Sequence, residues 1–216
     1  MKQKLENKPN RPLPLKTFLV ATVIIAAVLT TLAFRSGVDL RNRDGFDTKV
    51  NKDSVESVKA FMKVYEVLMS PRCMNCHPAG DAPLQGDDSH IHTMDVVRGQ
   101  DGKGMYSAKC SNCHQPANVP GLHTPPGNPK WQLPPADMKM VFQGKSVHEL
   151  ALQIMDHNQN GHKNKEQLIE HARDTLVKAA WNMGEGRVPP PMAYNDFVKA
   201  WDTWIKKGAY APAKEN

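Results

Sequence analysis

Two stretches of this chain repeat one pattern, Cys73-Met74-Asn75-Cys76-His77 and Cys110-Ser111-Asn112-Cys113-His114, and together they use all four cysteines. In a CxxCH run, two thiols three positions apart reach the two vinyl groups of one haem while the adjacent imidazole lies under the iron. Each motif thus fixes the backbone at three points on a rigid, flat group. Cys73, Cys76, His77, Cys110, Cys113 and His114 are expected to hold two covalently bound c-type haems, with His77 and His114 as the proximal iron ligands.

Two other chemistries use paired cysteines. Four thiolates would suit tetrahedral zinc, but zinc has no need of the two histidines. With 9 histidines in 216 residues, chance places one after both pairs with a likelihood of roughly 0.2%. Disulfides or a thioredoxin-like dithiol would call for a βαβ context, and nothing around either motif has that pattern.

The net charge of +6 raises the question of nucleic acid. Its distribution answers it: residues 1–34 hold five basic residues against Glu6, which is four of the six net charges. The haem propionates and ferric irons would bring the rest to about neutral. The basicity is a topology signal, and no nucleic-acid partner is expected.

That signal borders TFLVATVIIAAVLTTLAF, an uncharged run from Thr17 to Phe34. As a helix its 18 residues would span roughly 27 Å, enough for a hydrocarbon layer. Lysines and arginines crowd its N-terminal side, so residues 1–16 are expected in the cytoplasm and everything after Arg35 outside it. A cleaved signal peptide competes with the retained anchor, with Thr31-Leu32-Ala33 as a passable cleavage site. Residues 35–52 are polar, with Gly37, Gly45 and five basic residues, and are expected to act as a linker.

The rest divides into a haem domain, 53–210, and a tail, 211–216. Asp53 with Glu56 is expected to open a helix that ends at Ser70-Pro71, with Val55, Val58, Phe61, Met62, Tyr65 and Leu68 on its inner face. From Pro78 to Pro135 there is little periodicity and much Gly, Pro, Asp and Asn. So long an irregular stretch is reasonable where cofactor bonds hold the backbone.

Three helices follow. Ser146 with Glu149 and Asn164 with Gln167 are capping boxes, the second helix turning Leu168, His171, Ala172 and Leu176 inward. The last helix, about Asn195 to Lys207, aligns Phe197, Trp201 and Trp204 and stops at Gly208. The expected fold is mainly α: an N-terminal transmembrane helix, then a loop-rich, helical di-haem domain with one core shared by both motifs.

The sixth position of each iron decides its potential and its access to small molecules. Seven other histidines and eleven methionines compete for it. His90 and His92 lie between the motifs and His123 lies nine residues after His114, all in loops able to curl over a haem. These three are the candidate distal metal ligands, giving at least one bis-histidine haem. Met138, Met140, Met192 and His171 stay open as alternatives, while His148, His157 and His162 are expected to face solvent.

Beyond the motifs, the segments CMNCHPAGDAPLQGDDSHIH, CSNCHQPANVPGLHTPPGNPKWQLPP and GEGRVPPPMAYNDF, spread over roughly residues 70–210, give a longer likeness. The chain resembles di-haem c-type cytochromes, and within them the small subunits that accompany isoquinoline 1-oxidoreductase-type molybdenum hydroxylases. The resemblance carries over Cys73, Cys76, His77, Cys110, Cys113 and His114 as haem-binding positions and leaves the distal ligands open.

It implies a protein of the bacterial inner membrane with its haem domain in the periplasm, where haem is attached. There it would pass electrons between a dehydrogenase or quinol-oxidising complex and a downstream acceptor. Its expected partners are the membrane and redox proteins or a membrane redox complex, and no catalysis is expected of it. Two other readings stand beside it. One is a structural, haem-wired subunit of a larger membrane complex. The other is a di-haem peroxidase, for which the chain has no evident glutamate placed as acid or base.

Overall fold

A computed structural model of the chain describes residues 43–214, with side chains from Lys52 onward. The expected anchor, 17–34, and the cytoplasmic segment before it lie outside the described residues. Among those described, no helix is long and apolar enough to cross a membrane. From Val50 the chain forms one compact unit.

Among the described residues, six α-helices and two minimal hairpins make up most of the regular structure: α1 (Arg43–Leu68), α2 (Pro71–Met74), β1 (Leu84–Gln85), β2 (His90–Ile91), β3 (Gly104–Met105), β4 (Ala108–Lys109), α3 (Val147–Met155), α4 (Lys165–His171), α5 (Thr175–Ala179) and α6 (Tyr194–Lys206). The mainly helical expectation holds, and the stretch from Pro78 to Pro135 contains no α-helix.

The core lies where α6 meets α1, α3 and α4. Phe197, Trp201, Trp204 and Ile205 line the buried stripe of α6, and Phe61 packs on Trp204 with ring centroids 4.4 Å apart. Each such buried side chain contributes about 1.5–3 kcal/mol. Both expected capping boxes are present in reciprocal form, at Ser146/Glu149 and Asn164/Gln167. Gly208 ends α6 at φ +112°, a left-handed conformation that a side chain would strain.

Three expectations need correction. Helix α1 starts at Arg43, so residues 43–52 of the expected linker are helical and Asp53 lies inside the helix. There Asp53 and Glu56 both pair with Lys207 Nζ, at 2.8 and 3.4 Å. The buried face of α1 is also rotated. Val55 is 46% and Met62 43% exposed, whereas Ser57, Ala60, Phe61, Val64, Val67 and Leu68 are buried, with Ser57 and Phe61 both meeting Trp204. The third concerns the helix from Asn164, which stops at His171. Asp174 accepts the N–H of Leu176 at 2.9 Å and starts α5, and His171 is left exposed at the break.

Candidate functional site

The first motif sits where α1 turns into α2. Pro71, at the first position of α2, cannot continue α1 but suits a helix start. The chain then folds tightly, with Cys76 N–H on the Cys73 carbonyl at 3.1 Å and His77 N–H on that of Met74 at 3.0 Å. The second motif follows the β3–β4 hairpin as a 3₁₀ turn, Cys110–Asn112, with His114 N–H on the Cys110 carbonyl at 2.9 Å.

The two motif histidines are held alike. His77 Nδ1 lies 2.7 Å from the carbonyl of Met140, and Phe142 stacks on its ring at 3.9 Å and 10°. His114 Nδ1 lies 2.7 Å from the carbonyl of Pro126, and Trp131 stacks on its ring at 4.2 Å and 11°. A carbonyl only accepts, so Nδ1 carries the proton in both rings and Nε2 keeps a free lone pair. That is the tautomer of a metal-bound histidine whose other nitrogen is fixed by a carbonyl.

Each anchoring loop is fixed in turn. Gln153 of α3, buried, donates to the carbonyl of Val141 at 2.8 Å. Phe142 returns its N–H to the carbonyl of His77 at 2.9 Å. At the second motif Gly127 lets two strands of chain nearly touch: a Cβ there would lie 2.0 Å from the Ala117 carbonyl carbon. The Gly127 N–H reaches Asn118 Oδ1 at 2.8 Å, which keeps the Pro126 carbonyl facing His114.

Burial sets the electrostatics. It pushes the Cys73 thiol up to about 12, reinforced by Cys76, and Cys76 itself to about 11 against the pull of Arg72. Burial also raises Cys110. It lowers His77 to about 4, the Met140 carbonyl opposing and the charges of His171 and Arg98 adding to the shift. His114 is likewise lowered, chiefly by burial, with the Pro126 carbonyl opposing. Both imidazoles are neutral at pH 7, as iron ligands must be.

The residues fit haem better than the other thiol chemistries. All four cysteines are free. Among the described residues no group of three or more His, Cys, Asp or Glu is placed to hold a bare metal ion. Arg72 and Arg98 are buried and both charges act on Cys76; Arg72 pairs with Asp87, and Arg98 Nε lies 3.7 Å from Asp81. Arg72 Nε has no hydrogen-bond partner, and a buried donor of that kind beside the motif suits an acidic group such as a propionate. Among the described residues, Ile91, Met94, Val97, Met105, Tyr106, Val119 and Leu122 are large hydrophobic side chains left exposed in the stretch of chain that carries the second motif.

Of the three candidate distal histidines, His92 faces a motif histidine: its ring centroid is 6.4 Å from that of His114. His90 is exposed at the β1–β2 hairpin with Nδ1 on Asp88 at 2.6 Å. His123 is exposed at φ +57°, its backbone held by Glu185 and Arg187. Met140 and Met192 pack against the helical core, and Met138 is half-buried. His157 and His162 are exposed, as expected, whereas His148 is half-buried with Nδ1 on the Pro212 carbonyl at 2.6 Å.

Sequence reasoning missed Phe142, Trp131 and the carbonyls of Met140 and Pro126. Only the stacked aromatics left any signal, as lone rings in otherwise polar, Pro-rich loops. No family model, curated protein or solved structure matches the chain.

Proposed function

We propose that the chain is a di-haem c-type cytochrome that carries electrons outside the bacterial cytoplasm, tethered to the inner membrane through residues 17–34. Its haem domain, in the periplasm, takes electrons from a dehydrogenase or quinol-oxidising complex and passes them to a downstream acceptor. It is an electron carrier and not an enzyme.

The observation that carries this reading is the matched pair of motif histidines. His77 and His114 each have Nδ1 on a backbone carbonyl at 2.7 Å and an aromatic ring stacked in parallel. Two sites built to one plan, each beside its own thiol pair, suit two copies of one cofactor. Each haem, when bound, supplies a one-electron iron couple whose potential follows from axial ligands, charge and burial.

The chain's own residues then have separate tasks. Cys73 and Cys76 tether one haem, and Cys110 and Cys113 the other. His77 and His114 are the proximal ligands, kept neutral by burial and oriented by the carbonyls of Met140 and Pro126. Arg72 and Arg98 place positive charge beside the first motif.

The test is haem stoichiometry in the full chain, expressed with a periplasmic haem-attachment system. Two covalent haems per chain, one lost on Cys76→Ala and the other on Cys113→Ala, are expected. They should be in the membrane fraction, and should leave it when residues 17–34 are replaced by a cleavable leader. Chains without covalent haem would overturn the reading.

A further inference from the structure

Resting on that di-haem reading, we propose that His92 and His114 are the two axial ligands of one iron, so that a hairpin docked on the first motif completes the haem site of the second. Their ring centroids are 6.4 Å apart, with planes inclined at 57°. A metal about 2 Å from each imidazole nitrogen, with about 1 Å more to each ring centre, separates two facing centroids by about 6 Å.

Both rings also have the right nitrogen free. His92 Nδ1 lies 2.7 Å from the carbonyl of Thr93, as His114 Nδ1 does from that of Pro126. Each Nδ1 is therefore the donor and each Nε2 keeps its lone pair. His90 shares the hairpin, with Nδ1 on Asp88, but among the described contacts its ring meets no other histidine.

The placement of His92 is built. The N–H of Leu84, in β1, donates to the carbonyl of Asn75 inside the first motif at 3.0 Å. Asn75 Nδ2 and Arg72 return bonds to the Gly86 carbonyl at 2.9 and 3.0 Å. Past the end of β2, His92 N–H reaches the Pro83 carbonyl at 2.9 Å, and the Thr93 N–H reaches Gln85 Oε1 at 3.2 Å. A hairpin anchored on motif one thus presents its last histidine to motif two. The two haem sites share ligand-bearing backbone and cannot be separated into single-haem halves.

The experiment is optical and redox spectroscopy of the haem-loaded full chain and four histidine variants. His92→Ala should keep two covalent haems, turn one of them high-spin when ferric, and let the ferrous protein bind one carbon monoxide. His92→Met should keep six-coordination, gain a methionine-to-iron charge-transfer band on one haem, and raise one of the two midpoint potentials. In His90→Ala and His123→Ala the haem on the second motif should match the parent. Should the alanine variant lose haem, His92→Met decides, and absence of its charge-transfer band sinks the pairing. A two-haem His92→Ala protein that stays low-spin and inert to carbon monoxide overturns the pairing and leaves the di-haem reading standing. A parent without covalent haem overturns both.

Discussion

The hydroxyl of Ser57 donates to the carbonyl of Trp204 at 2.9 Å and accepts the backbone N–H of Tyr210 at 3.0 Å, joining the helix that leads into the first motif to the end of the last helix. The site is fully buried, so no water replaces the hydroxyl. Ser57→Ala strands a carbonyl and an N–H and should cost about 1–3 kcal/mol. Ser57→Val strands the same groups and adds volume against Trp204, so it should cost about 1–3 kcal/mol more. Urea unfolding gives the order, and an alanine variant as stable as the parent would remove the hydroxyl from the account.

That serine also explains one limit of the sequence. Hydrophobic spacing pointed to Val55 and Met62, whereas the buried face of the helix includes Ser57 and Ala60, and Ser57 is there for its hydrogen bonds to Trp204 and Tyr210. The capping boxes at Ser146 and Asn164 were legible because each is closed within four residues. The break before Asp174 was not, since helix periodicity continues across it while a side-chain cap competes locally. Around the two motifs, His77 could be found from its own CxxCH run, but its partners Met140 and Phe142 are more than 60 residues away and carry no periodic pattern. That His92 rather than His90 comes near His114 depends on how a two-residue hairpin is anchored, which no spacing rule encodes.

Asp174 gives a prediction with a pH signature. The Leu176 N–H lowers its carboxyl below the ordinary carboxylate value, burial opposing and Lys130 helping. The folded form therefore prefers the charged state. Its contribution is complete above the unfolded pKa of about 4 and is lost as pH falls through the lower folded value. Asp174→Asn keeps a capping oxygen and should stay within about 0.5 kcal/mol of the parent at pH 7, since the exposed pair with Lys130 contributes little. It should also flatten the acid limb of the stability curve. Asp174→Ala should lose about 1 kcal/mol at pH 7. An unchanged acid limb in the asparagine variant would contradict the assignment.

The stacked rings can be tested separately. Phe142 is buried and Trp131 half-buried, so Phe142→Leu should cost about 1–3 kcal/mol and Trp131→Leu about 1 kcal/mol. Each ring holds one imidazole plane. Each variant should therefore alter the paramagnetic resonance signal of one ferric haem and leave the other unmoved. If either variant changes both signals equally, the two sites are not independently held as the stacking implies.

Arg98 joins stability to potential. It is 1% exposed and ties the chain after the first motif to the Pro-rich segment, donating to the carbonyls of Gly80 at 3.2 Å and Pro134 at 2.5 Å. Burial lowers its pKa, with the nearby Asp81 carboxylate opposing, and its charge is felt at Cys76 and His77. Arg98→Met removes both bonds and should cost about 2–4 kcal/mol, part of the lost bonding being offset because no cation has to be desolvated. A buried cation disfavours the more positive, oxidised iron, so its removal should lower the midpoint of the haem on the first motif and spare the second. Arg98→Lys keeps the charge while losing the paired donors. It should be destabilised to a similar degree with a much smaller change in potential, so the two variants separate charge from architecture. Equal midpoint shifts in both would mean that the loss of structure, not of charge, moves the potential.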